Sequence, residues 1–316
     1  MNEIQVSVLM PAYNTEKYIG EAIQSVLDQT FTCFELLIVN DGSTDGTEAI
    51  IHSFRDPRIV LINQPNGGVS KALNTGLRHA RAKYIARFDA DDICCPDRLD
   101  IQFAFMEANP DYVLVGSNAE YIDMHGEHIF SYQCAGYSND EIHSLSINRC
   151  PFLHVAVMYH KRPVIDAGGY DENAHSFEDH LLWAKLIQKG KVCNLPERLV
   201  IVRFNPESLT IDEKWRGKRF NQLKYEAIQK GTITKNEGDE ILAIIRQQDI
   251  SSIKKGSYYS LLAKKYLWNN YDPQKARKNV QQLIKACPLK PEAYILLALS
   301  FFPAQLVRMI YRMNKR

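Results

Sequence analysis

The chain has no apolar run of the ~18 residues that a membrane-spanning helix requires. Its N-terminus, MNEIQVSVLMPAYN, lacks a basic segment followed by a long apolar one, so no secretory signal peptide is expected. The net charge is only +1, and bulk charge therefore gives no reason to expect nucleic-acid binding. Cysteine occurs seven times, an odd number, without a C-x-x-C pair, and the adjacent Cys94 and Cys95 are poorly placed to bridge each other. Reduced thiols in a cytoplasmic setting are expected rather than a disulfide frame. Neither a Walker A loop nor a G-x-G-x-x-G fingerprint is present, which counts against an ATPase and a nicotinamide enzyme. What remains is a globular composition, 45% hydrophobic and 24% charged, in 316 residues: enough for a large core and more than one module.

The first third alternates in period. Short apolar runs (QVSVLM, FELLIVN, RIVLIN, YIARF) alternate with helical patterns such as TEKYIGEAIQSVLDQ, where Tyr18, Ile19, Ala22, Ile23, Val26 and Leu27 share one stripe. DGTEAIIHSF reads as a helix capped by Asp45, with Glu48 three residues on. This alternation predicts a parallel sheet covered on both faces. Ligands in such sheets sit beyond the carboxyl ends of the strands, where four polar segments emerge: PAYN, NDGSTDG, NQPNGG and DADD. Further on, PDRLDIQFAFMEANP reads as a helix stopped at Asn109-Pro110, and YVLVGSNAEYID, GEHIFSY, HVAVMYH and RLVIVRF read as strands. FEDHLLWAKLIQKG reads as a helix ending before Gly190. From about Asn205 the pattern turns helical and rich in Lys and Gln. The expected division is 1–205 and a helical region 206–316, within which ARKNVQQLIKACPLKPEAYILLALS resembles a single helical hairpin.

Several residue sets on the four loops could carry chemistry. Asp89 and Asp91 flank Ala90 at the end of a buried strand. Two carboxylates so placed suit a hard divalent cation together with a ribose, and they equally suit capping of the helix after Pro96, the simpler role for Asp92. Asp41 follows a strand directly and, with Asp45 as the better cap, is expected to be free to accept a hydrogen bond from a base N–H. In PAYN (Pro11, Ala12, Tyr13, Asn14) the tyrosine ring either stacks on a nucleobase or covers the sheet edge. In QPNGGVSKALN, Asn66, Lys71 and backbone N–H groups at a helix start either face a diphosphate or form a flexible turn.

In their order, VSVLMPAYNTEKYIGEAIQSVLDQTFTCFELLIVNDGSTDGT and NGGVSKALNTGLRHARAKYIARFDADD resemble the family 2 glycosyltransferases of the GT-A fold, densely from Val6 to Leu99 and more thinly through Phe204. The resemblance implies an α/β fold with a mostly parallel sheet flanked by helices, an inverting reaction, and a nucleotide-sugar donor, most often a UDP-sugar. It implies that Asp41 contacts the base, that Ala12 and Tyr13 line the nucleotide, that Asp89 and Ala90 face the ribose side, and that Asp91, with Asp89, binds Mn²⁺ or Mg²⁺. The family's later acidic pair corresponds to Glu178 and Asp179 in SFEDHLLWAKL: Asp179 would be the general base and Glu178 its support, the alternative being two acids in a helix's first turn. His154 stands where relatives often carry histidine, and it either lines the donor or acceptor site or belongs to the core.

Two departures from the family pattern matter. Relatives often show R-x-H after the last strand; here VRFNPESLT keeps Arg203 but has Asn205 in the histidine's place. The Q-x-x-R-W motif of membrane-embedded processive synthases is absent, so transfer of a single sugar to a glycan or lipid-linked acceptor is expected, in cell-surface polysaccharide or glycolipid synthesis. From Ala293 to Val307 the chain carries no charge, Pro303 interrupts it, and Arg308, Arg312, Lys315 and Arg316 follow. Two readings stand for this tail. One is a helix lying on the anionic inner face of the cell membrane; the other is a terminal helix packed on the preceding helices or on a dimer partner. Two competing functions stand as well. A sugar-1-phosphate nucleotidyltransferase would carry a Gly-rich basic loop after the first strand, which PAYNTEKY lacks. A non-catalytic nucleotide-sugar-binding module is disfavoured by an intact Asp91 and Asp179.

Overall fold

A computed structural model describes residues 3–205, 215–248 and 250–313. These divide into two compact units: 1–120, 132–203 and 224–238 in the first, and 121–131, 204–223 and 239–316 in the second. The elements of the first half follow in the order β1 (Val6–Ala12), α1 (Ile19–Leu27), β2 (Phe34–Asn40), α2 (Thr47–Ser53), β3 (Ile59–Asn63), α3 (Val69–His79) and β4 (Tyr84–Arg87). Then come β5 (Ile93–Cys94), α4 (Arg98–Ala108), β6 (Tyr112–Ile122), β7 (His128–Tyr132), α5 (Asn139–Leu145), β8 (Met158–His160), α6 (Lys161–Asp166), α7 (Glu178–Leu186) and β9 (Lys191–Arg203).

The sheet runs β3-β2-β1-β4-β8-β6-β9-β5, with β7 paired to β6 in a hairpin. The first four strands are parallel to one another, while β8 runs antiparallel to both β4 and β6. Both strand parities are buried. Leu9, Leu37 and Ile85 join one core cluster with Leu73 and Leu77 of α3 and Leu182, Trp183 and Leu186 of α7. The opposite parity, Val8, Met10, Leu36 and Ile38, is equally closed to solvent. A parallel sheet covered on both faces needs such near-continuous apolar strands.

One polar cluster interrupts the apolar core. Ser7 and Glu35 are register partners on β1 and β2, and the Ser7 hydroxyl donates to Glu35 at 2.6 Å. Glu35 also accepts from the backbone N–H and the Nε of Arg81, which tethers the chain just before β4.

The helices follow the stripes read from the sequence, with instructive exceptions. The residue that opens α2 is Gly46, one position after the expected cap; Asp45 takes the Thr47 N–H on one oxygen and the Glu16 N–H on the other, and so ties the start of α2 to the loop after β1. HVAVMYH is a strand only over its last three residues; His154–Ala156 form a single 3₁₀ turn, and the His154 ring is turned onto Tyr170. Helix α5 was not read from the sequence, although Ser138 and Glu141 make a reciprocal capping box at its start.

The rest of the described chain is helical: α8 (Lys218–Lys230), α9 (Lys235–Gln248), α10 (Ser251–Lys265), α11 (Pro273–Ala286), α12 (Pro291–Leu299) and α13 (Ala304–Met313). Helix α11 opens on Asp272, whose side chain accepts the Lys275 N–H ahead of Pro273, and it turns Ala276, Val280 and Leu283 inward. Among the described residues no helix is long and apolar enough to cross a membrane.

Gly76 explains how closely α3 lies on the sheet. A Cβ there would run into the fully buried Leu9 side chain of β1. Helix propensity favours alanine at this position by about 1 kcal/mol, but overpacking a closed core costs about 1–3 kcal/mol. Gly76→Ala is therefore expected to lower the midpoint of urea unfolding, and a raised midpoint would show that the helix has room to move away.

Candidate active site

The parallel registers bring the strand ends level. Ala12 pairs with Asn40 and Asn40 with Asn63, so the loops leaving β1, β2 and β3 emerge side by side. They are laced together. The Asn14 N–H donates to Ser43 Oγ, the Thr44 N–H donates to Asn14 Oδ1, and the Thr15 N–H donates to Thr47 Oγ1. Asn14 sits in the left-handed region at φ 51°, a conformation asparagine tolerates. Gly42, at φ 74°, runs so near the third loop that a Cβ would lie 2.7 Å from the Asn66 backbone nitrogen. In this setting Pro11 is half-buried and Ala12 buried, whereas Tyr13 is half-exposed and its ring is open to a partner.

Asp41 is engaged rather than free. One oxygen accepts from Gln64 Nε2 at 2.6 Å and from the Gly67 N–H at 2.9 Å; the other accepts from the Gly68 N–H at 2.8 Å. An ionised carboxylate offers about four lone-pair positions, so roughly one acceptor position remains on the oxygen that Gly68 occupies. The buried Asp41 thus shapes the Gly-rich loop and keeps a single opening for a donor. Asn66 is exposed on that loop and Lys71 in the first turn of α3, with the Lys71 stem lying over Gly67.

The turn after β4 holds the acidic cluster, and its counter-charge is Arg87, the last residue of that strand. Arg87 is buried and ion-paired to Asp89. Burial and the charge of Asp89 push Asp91 up to about 6. Asp92 is fully buried and raised well above the usual carboxylate range by burial and by the charges of Asp91 and Asp89. It accepts the Arg203 N–H at 2.7 Å, so its task is to fasten the end of β9. Arg203 donates through Nε to the Asp91 carbonyl and through Nη2 to Glu21 at 2.6 Å, and it lies over the Tyr18 ring. Arg98, also buried, donates to the carbonyls of Arg87 and Val157 and so braces the strand end from beneath.

Asp89 and Asp91 are half-buried, oxygen-only donors carrying more negative charge than Arg87 offsets, and this donor chemistry fits Mg²⁺ or Mn²⁺. Among the described residues no group of three His, Cys, Asp or Glu side chains forms a complete cage. The two carboxylates would therefore share such an ion with water and with oxygens of a bound diphosphate.

The second acidic pair lies at the start of α7. Glu178 is buried and Asp179 half-exposed. Burial and the charge of Asp179 push Glu178 up to about 7, and Asp89 adds to this while Arg87 opposes it. The turn after β4 and the first turn of α7 therefore share one electrostatic neighbourhood. The Asp179 carboxylate accepts the His180 N–H at 2.6 Å and faces the Cys150 thiol at 3.7 Å. Nearby, His154 Nε2 meets the Tyr170 hydroxyl at 3.1 Å, and that hydroxyl meets Tyr159 at 3.3 Å. Burial, then the charge of Arg87, holds His154 well below the usual imidazole range, so it is neutral. Tyr170 is clamped to α3 by Asn74, which accepts its N–H at 2.9 Å and donates to its carbonyl at 2.8 Å.

Sequence reading did not single out Arg87, Arg98, Gln64 or Asn74. Arg87 had a legible signal, a cation closing an apolar strand immediately before three acids. Asn74 had none, because its partner lies 96 positions away. Two outcomes follow from the electrostatics. Arg87→Met leaves the acids without their buried counter-charge and is expected to cost about 3–5 kcal/mol in urea unfolding; an unaltered midpoint would show that the acids simply take up protons. Glu178 has a folded-state value above its ordinary 4.5, so its contribution to stability is complete below pH 4.5 and lost as pH rises through about 7. Glu178→Gln is expected to flatten that decline in thermal midpoint, and a parallel decline in the variant would assign it to other groups.

A sequence model described as Glycosyl transferase family 2 matches residues 7–166. An uncharacterized glycosyltransferase of Haemophilus influenzae is 36% identical over 206 residues, 63% of this chain and 76% of that protein. The amylovoran biosynthesis glycosyltransferase AmsE of Erwinia amylovora is 33% identical over 215 residues, 66% of this chain and 80% of that protein. Among solved structures, S. aureus TarS 1-349 in complex with UDP is 21% identical, with a TM-score of 0.55 over 98% of this chain and 92% of that one. Mannosyltransferase PcManGT from Pyrobaculum calidifontis, in complex with GDP-Man and Mn²⁺, is 15% identical, with a TM-score of 0.54 over 100% and 89%. The structural likeness carries the GT-A fold, and the match across half of the sequence carries the kinship: this chain belongs to glycosyltransferase family 2.

Proposed function

We propose that this chain is an inverting, metal-dependent glycosyltransferase. It moves a sugar from a nucleotide-sugar, with UDP as the first choice of nucleotide, to a hydroxyl of a glycan or lipid-linked acceptor. The observation that carries the reading is the meeting of two acidic turns, Asp89–Asp91 after β4 and Glu178–Asp179 at the start of α7, in one field with Arg87. Such a pairing suits a reaction that needs one acidic group for the leaving diphosphate and another for the attacking hydroxyl. TarS has been crystallised with UDP and with UDP-GlcNAc, and PcManGT with GDP-Man and Mn²⁺, which supports a nucleotide-sugar donor and a divalent ion. The name of AmsE, an amylovoran biosynthesis glycosyltransferase, supports a place in polysaccharide synthesis.

In this reading the remaining acceptor position of Asp41 takes a base N–H, and the exposed Tyr13 ring stacks on that base. Pro11, Ala12 and Asn14 shape the wall beside it. Asn66, Lys71 and the Gly67-Gly68 amides face the diphosphate, with Arg203 behind the acidic turn. Asp91 and Asp89 would hold a divalent ion, which would supply charge neutralisation for the departing diphosphate. Asp179 accepts the proton of the acceptor hydroxyl as its oxygen bonds to the anomeric carbon, and the electron pair of the breaking C–O bond leaves with the nucleotide. Glu178 is buried beside the more open Asp179, so it positions Asp179 rather than meeting the acceptor itself. Neutral His154, held by Tyr170, lines the donor or acceptor wall.

Incubation with a UDP-sugar, Mn²⁺ and a hydroxyl acceptor is expected to release free UDP. Pyrophosphate would mark nucleotidyl transfer instead, and neither product would mark a binding module. Asp179→Asn is expected to lower turnover by about 10²–10⁴-fold with UDP affinity retained; near-normal turnover in that variant would sink the base assignment.

A further inference from the structure

Helix α12 is apolar apart from Glu292, and one of its faces is open to water. It turns Ala293 and Leu296 inward, while Pro291, Tyr294, Ile295 and Ala298, at helical i, i+3, i+4 and i+7 spacing, face out. The open surface continues beyond both ends of the helix: Leu289 is 95% exposed, Ile295 60% and Phe301 72%, with Phe302 and Met309 also exposed. Six of the twelve large hydrophobic side chains exposed among the described residues lie between 289 and 309. Scattered singly they would mean nothing, but clustered they mark a surface that meets something.

The charge along this stretch of chain is mostly basic. From Asp272 to Arg316 the sequence has nine Lys and Arg against two acids, Asp272 and Glu292. Both acids are committed: Asp272 accepts the Lys275 N–H at the start of α11, and Glu292 pairs with Lys264 and the Ser260 hydroxyl. Of the cations, Lys275 is paired with Glu127. Arg277 lies over the Phe301 ring at 5.0 Å and donates to the Ser300 carbonyl, Lys290 precedes α12, and Arg308 is exposed on α13. Aromatic and aliphatic side chains ringed by cations match the boundary between acyl chains and anionic headgroups. A second copy of the same face would bring two basic rims together, which like-charge repulsion opposes.

We infer that the α12–α13 face, with Leu289, Ile295, Phe301, Phe302 and Met309 as its inserting side chains, docks on an anionic lipid surface. The face lies flat on the bilayer, because none of these helices is long enough to cross one. The inference goes beyond the transfer reaction, and its test measures lipid binding without turnover.

The test is co-sedimentation of the full chain with phosphatidylcholine vesicles, with and without phosphatidylglycerol, at low and high salt. Binding to the phosphatidylglycerol vesicles, falling with salt, is the expected result. An Ile295→Glu, Phe301→Glu double variant is expected to lose at least about tenfold in vesicle partitioning while keeping its circular dichroism spectrum. Arg308→Glu alters only an exposed charge and is expected to weaken binding at low salt more than at high salt. No binding of the full chain, equal binding to phosphatidylcholine alone, or unaltered binding by the double variant with its fold intact would each overturn the inference. So would self-association in light scattering that the double variant abolishes while vesicle binding stays unaltered.

Discussion

The structure around the site depends on one buried cation. Arg87 closes β4 where four acidic side chains (Asp89, Asp91, Asp92 and Glu178) feel its charge, and it is paired directly to the first. Without a buried positive charge, several carboxylates so close together would take up protons or drive the turn apart. With one, they stay compact, yet Asp91 and Glu178 remain raised to about 6 and about 7. Both shifts come first from burial and then from the neighbouring carboxylate, with Arg203 easing that of Asp91. Arg87 also adds to the burial that keeps His154 neutral, so its charge bears on both acidic turns and on the histidine.

Around that charge the backbone is held by polar ties that cross long stretches of sequence. Asp92 fastens the end of β9, Asn74 clamps the turn at Tyr170 to α3, and Asp41 gathers the Gly-rich loop. Each tie satisfies backbone groups at a strand or helix terminus, where the regular ladders run out. The result is a rim of loops held in place by the sheet register beneath it. Among the described residues, the one large hydrophobic side chain on those loops left substantially open is Tyr13. Preorganisation of this kind limits the ordering cost when a nucleotide binds.

The second unit follows a different logic. Its helices bury ordinary stripes, such as Ala276, Val280 and Leu283 of α11, but α12 has apolar residues to spare. A water-facing stripe without charge, beside a basic rim, is costly in solution and useful only against a surface of matching character. Solvent-side chemistry of this kind is invisible to the hydrophobic pattern alone, because the pattern registers apolar residues without saying which of them the fold covers.

What the sequence determined by itself was the order of elements in the α/β half, the four loops at the strand ends, and the positions along the chain at which the two acidic pairs fall. Those features are local: strand and helix periods, turn residues, and motifs contained within a few positions. The fourth helix and the 3₁₀ turn at His154 show the same locality from opposite sides, the first stopped at Asn109 as its residues dictate, the second bent away from a strand by a contact with Tyr170. Only the tertiary structure decided that Asp41 is engaged by Gln64 and two glycine amides, that Asp92 serves β9, and that Glu178 shares a field with Asp89. Each of these joins residues tens of positions apart or more, and their protonation depends on burial, which is a property of the folded packing and of no single stretch of chain.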